Sequence, residues 1–61
     1  MPTDDDITAH FVERAAIGEH DGGLSRRVAE YEAARATRAE FGRLTAEIER
    51  QMRETRGIVN G

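Results

Sequence analysis

The 61-residue sequence has no cysteine, no tryptophan and no lysine, and its single proline is Pro2. Without cysteine there can be no disulfide framework, no thiolate zinc site and no thiol nucleophile. Without lysine, the usual lysine-bearing phosphate loop is excluded as well. No apolar run approaches the length of a membrane span. The opening "MPTDDD" is acidic where a secretory signal needs basic residues, so a soluble, cytoplasmic protein without membrane contact is expected.

Large apolar residues are also scarce. They are Ile7, Phe11, Val12, Ile17, Leu24, Val28, Tyr31, Phe41, Leu44, Ile48, Met52, Ile58 and Val59, and much of the remaining apolar content is alanine. A chain of this size forms one domain at most and buries only about 60% of the surface its unfolded form exposes. Alanine brings helices close but adds little burial energy. A stable monomer is therefore marginal, and self-association or a partner is the expected remedy.

What is there is charge, unevenly spread. Residues 1–23 carry Arg14 against Asp4, Asp5, Asp6, Glu13, Glu19 and Asp21, a formal −5. Residues 24–61 carry eight arginines against six glutamates, a formal +2. Carboxylates at a helix N-terminus interact favourably with its dipole, which accounts for the aspartate cluster without a ligand.

The pattern is helical throughout. Thr3 or Asp4 is a good N-cap, and Ile7, Phe11 and Ala15 follow at intervals of four, predicting a helix over about 5–18. "HDGG" ends it in a turn over 20–24, because glycine supplies the positive φ of a tight reversal. Ser25 is the expected N-cap of a second helix, with Leu24 placed to fold back as a hydrophobic staple. From Arg26 to about Arg56 there is no proline and one glycine, Gly42. This predicts a helix roughly 45 Å long, with its continuity through Gly42 open, and a frayed tail over 57–61. Arg26–Glu30, Arg43–Glu47, Glu49–Arg53 and Arg50–Glu54 lie four apart, and Glu32–Arg35, Glu40–Arg43 and Glu47–Arg50 three apart, as helix-supporting pairs do.

The fold class expected is all-α, a hairpin of one short and one long helix within a single domain, 1–61. Leu24, Val28 and Tyr31 form one apolar patch on the long helix; Phe41, Leu44, Ile48 and Met52 form a second. A first helix about 20 Å long can cover the first patch but not the second. A second copy of the chain or a different protein is then needed to cover Phe41, Leu44, Ile48 and Met52.

"ERAAIGEHDGGLSRRVAE", Glu13 to Glu30, resembles a short module found in phage, plasmid and integrated-element proteins of GC-rich proteobacteria. There an "ER-A-I" helix is followed by an acidic residue, an aromatic, "DGGL", a small cap and a helix opening "R-x-x-AE". His20 departs from the aromatic, and Val28 from the acidic residue that would complete a capping box with Ser25. The resemblance implies a mobile-element origin and a helix-turn-helix-like bend, and no activity.

Catalysis has little to stand on. Ser25 is better used as a cap, no paired carboxylates flank a pocket, and Asp21 sits where a phosphate would lie in "HDGGLSR". The chain is not expected to be an enzyme or to hold a cofactor. His10 with Glu13, and His20 with Asp21, lack the further inward carboxylates of a di-metal bundle, so no metal is expected. The main expectation is a protein-binding adaptor or inhibitor, of anti-CRISPR type if the mobile-element resemblance holds. It would dock through Phe41, Leu44, Ile48 and Met52, with Asp4, Asp5 and Asp6 meeting a basic groove on the partner. The alternative is a nucleic-acid-binding accessory protein. Arg27, Tyr31, Arg35 and Arg38 share one helical face, suited to phosphate contact and base stacking.

Overall fold

The computed structural model describes residues 1–59, and side chains through residue 57. Among the described residues it is all-helical: α1 spans Asp4–His20, α2 Arg26–Phe41 and α3 Ala46–Val59. Thr3 begins α1 with a reciprocal capping box. Its hydroxyl accepts from the Asp6 amide at 3.2 Å, and its own amide donates to the Asp6 carboxylate at 3.1 Å. The helix ends as the "DGG" turn predicts. The amides of Asp21 and Gly22 donate to the Ile17 carbonyl, Leu24 donates to Gly18, and Gly23 takes φ +65°. Ser25 then caps α2 by accepting from the Val28 amide.

The expected long helix is two helices. Gly42 takes φ +79°, a left-handed conformation that terminates α2, and its amide donates to the Arg38 carbonyl at 2.7 Å. Glycine adopts that conformation without the steric penalty a Cβ brings. Three residues later Thr45 restarts the chain as the cap of α3, its hydroxyl accepting from the Ile48 amide at 3.2 Å. Where a frayed tail from residue 57 is expected, α3 continues to Val59; residues 60 and 61 lie outside the described residues.

This break reverses which patch is covered. Ile7, Phe11 and Ile48 are buried with Ala15, Ala33 and Ala34, and Phe41, Leu44 and Met52 lie half-buried against them. The chain's own fold therefore buries Ile48 and half-covers Phe41, Leu44 and Met52. Leu24, Val28 and Tyr31 remain exposed. The reason lies in α2's small residues. α1 packs against a side of α2 carrying Ala29 and Ala33, where the backbones can approach closely. At 100° per residue that side points well away from Val28 and Tyr31.

Polar contacts then tie the start of α1 to the α2–α3 turn. The hydroxyls of Thr8 and Thr45 lie 2.8 Å apart, and the Arg43 guanidinium reaches Asp4 at 2.5 Å. The His10 ring meets Phe41 edge-on, with centroids 5.2 Å apart. Inside, Thr37 donates its hydroxyl to the Ala33 carbonyl, so a buried polar group is satisfied within its own helix.

Candidate functional site

Val28, Tyr31, Arg35 and Arg38 follow at steps of three, four and three, which aligns them along one side of α2, whereas Leu24 precedes the helix and lies beside Gly18 of α1. Arg27 borders the same strip. Tyr31 is 58% exposed, Val28 45% and Leu24 37%. None of Arg27, Arg35 and Arg38 makes an ion pair or a side-chain hydrogen bond among the described residues. The Glu32–Arg35 pair expected from spacing does not form.

The fold of α3 against α2 turns one edge of this strip into a groove. Tyr31, Arg35 and Arg38 line it with Leu44 and Met52; further along, Arg27 and Tyr31 face Met52, Thr55 and Arg56. Sequence reasoning placed Arg27, Tyr31, Arg35 and Arg38 on one face, and the structure does bring them together. It did not anticipate Arg56, because on one straight helix Tyr31 and Arg56 would stand about 37 Å apart. The signal that could have found it is Gly42 followed at three residues by a cap-forming threonine.

The other predicted interface residues are placed differently. Ile48 is fully buried and offers no surface. Phe41, Leu44 and Met52 are half-buried by the core they pack on. In the acidic head, Asp6 serves the Thr3 capping box and Asp4 pairs with Arg43; Asp5 makes no such contact among the described residues. The head is thus largely used inside the fold.

Of the expected helix pairs, Arg26–Glu30, Glu47–Arg50 and Arg50–Glu54 form. Arg43 abandons Glu40 and Glu47 for Asp4, since the break at Gly42 takes these residues off a common helix. Hydrogen bonding from Arg50, helped by Gln51, holds the Glu47 carboxyl below the usual glutamate range, and Glu47 in turn raises the Arg50 guanidinium. Among the described residues no group of three or more His, Asp and Glu side chains gathers to hold a metal, and no helix is long and apolar enough to cross a membrane. Comparison with protein families, curated proteins and solved structures finds no match to this chain.

Proposed function

We propose that this chain is a small non-enzymatic protein-binding module that docks through the outer side of α2. The partner is a protein presenting an apolar patch rimmed by carboxylates. One observation carries this reading: Val28 and Tyr31 stand exposed in one strip of α2 beside Arg27, Arg35 and Arg38, which have no acidic partner among the described residues. Tyrosine and arginine are the residues enriched at protein interfaces, and the neighbouring aliphatic groups gain energy only against another apolar surface. An element-encoded inhibitor is the concrete form suggested by the resemblance at Glu13–Glu30, and it rests on that resemblance alone.

A second reading, single-stranded nucleic acid in the same strip, is favoured by the addition of Arg56 to the groove beside Tyr31. The net charge of −3 opposes it. Capture from a bacterial lysate, with and without nuclease, separates the two when run on wild type, Val28→Asp and Arg35→Glu. Protein docking predicts nuclease-resistant capture that Val28→Asp abolishes, while binding to a single-stranded oligonucleotide stays undetectable by fluorescence anisotropy. Nuclease-sensitive capture with a steep salt dependence, lost in Arg35→Glu and kept in Val28→Asp, overturns it.

A further inference from the structure

The outer side of α1 has the chemistry that the α2 strip calls for. Asp5, Ala9, Val12, Ala16 and Glu19 follow at steps of four, three, four and three, and all of them are exposed. The core side of the same helix, through Ile7, Phe11 and Ala15, points away from them. Glu13 borders the strip beside Ala9 and Ala16. Asp5, Glu13 and Glu19 make no ion pair or side-chain hydrogen bond among the described residues. Val12 stands 47% exposed in their midst. This is a small apolar patch rimmed by carboxylates, on the same molecule as Val28 and Tyr31 with their arginines.

We infer that the outer side of α1 in one copy of the chain docks on the outer side of α2 in another. The inference rests on the reading of the α2 strip as a protein-docking surface and names a partner for it. The two strips agree in spacing as well as in charge. With Val12 set against Tyr31, Asp5 and Glu19 lie seven residues, about 10 Å, to either side. Arg38 stands at that height on the α2 strip, and Arg27 lies about 6 Å out in the other direction, within reach of a carboxylate side chain. Ala9 and Ala16 are small enough for the two helices to approach closely.

Pairing like with like offers none of this. Two α2 strips would bring arginines together, and two α1 strips would bring carboxylates together. The contact is therefore heterologous, α1 of one copy to α2 of the next. Each pair leaves one strip of either kind free, so association continues beyond a dimer or closes in a ring.

The test is sedimentation equilibrium of the full chain, alone and in mixtures. The average mass of wild type should rise with concentration, with a midpoint of about 0.1–1 mM for so small a contact. High salt, which screens the rim charges, should weaken the association several-fold. Val12→Arg blocks the α1 strip and Val28→Asp blocks the α2 strip; both positions are exposed, so circular dichroism should show both variants folded. Each variant alone should stay monomeric. Mixed in equal amounts they should associate again, because each supplies the strip the other lacks. A wild type that is monomeric throughout that range, association kept by either variant alone, or a mixture that stays monomeric overturns the inference. Capture from a lysate reads the docking of a different protein on the α2 strip, so the two readings fail separately.

Discussion

Gly18 of α1 and Ala29 of α2 lie so close that a Cβ placed on the glycine would stand 3.2 Å from the alanine's Cβ. The crossing of the two helices is set by this contact. Gly18→Ala exchanges mild crowding for a gain in helix propensity of up to about 1 kcal/mol, so its melting temperature should move little. Gly18→Leu has no such compensation and should cost about 1–3 kcal/mol by overpacking. In a domain of this size each kcal/mol shifts Tm by roughly 4–8 °C, which thermal melts resolve easily. Equal melting of the two variants would contradict the close crossing.

Gly42 gives a second prediction. A Cβ there meets nothing within 4 Å, so any cost of substitution is conformational and arises from φ +79°. Gly42→Ala should lose about 1 kcal/mol, and Gly42→Asn less, because asparagine tolerates the left-handed region. An alanine variant as stable as wild type would mean that α2 and α3 join as one helix at no cost.

How much of this was legible in the residues depends on the kind of signal. Thr3, Ser25 and the "DGG" turn mark α1 and the start of α2 by local chemistry, and the structure follows them closely. The break at Gly42 is hidden because Phe41, Leu44, Ile48 and Met52 keep helical spacing straight across it. Periodicity therefore reads one helix where there are two. The inner side of α2 was missed for a different reason. Ala29 and Ala33 carry little hydrophobic weight, yet their small size decides where α1 lies. The strip from Arg27 to Arg38 belongs to one uninterrupted helix and needs no tertiary information, whereas Arg56 joins it only through the fold.

Ile48 and Val28 should respond oppositely to truncation. Ile48 is fully buried, and Ile48→Ala should cost about 2–5 kcal/mol through lost burial and the cavity left behind. For a 61-residue domain, total stability at the usual per-residue value is about 3–9 kcal/mol, so this variant should lose a large fraction of it and melt well below wild type. Val28→Ala, at an exposed position, should stay within about 0.5 kcal/mol of wild type. Circular dichroism melts of the pair distinguish core from surface, and an Ile48→Ala melt unchanged from wild type would remove Ile48 from the core.

The Glu47–Arg50 pair sets a pH prediction. The folded-state carboxyl lies below its ordinary value, chiefly through the Arg50 hydrogen bond. Its contribution to stability is therefore complete above the ordinary glutamate value and is lost as pH falls through the lowered one. Arg50→Ala should return the Glu47 carboxyl to the ordinary range in an NMR titration of its side-chain carbon. A midpoint unmoved by that substitution would show that the contact is not kept in solution.

The division of α2 into an inner alanine side and an outer strip has a consequence for how such a protein can change. The molecule is thin, about 15 Å across its shortest dimension. Ala29, Ala33 and Thr37 face inward and are buried, while Val28, Tyr31 and Arg35 on the same turns face solvent. The residues that pack the helices and those that meet solvent are thus written on opposite sides of one helix, in interleaved letters. The outer letters can drift, or be redesigned, on their own, with the inner ones holding the backbone that presents them.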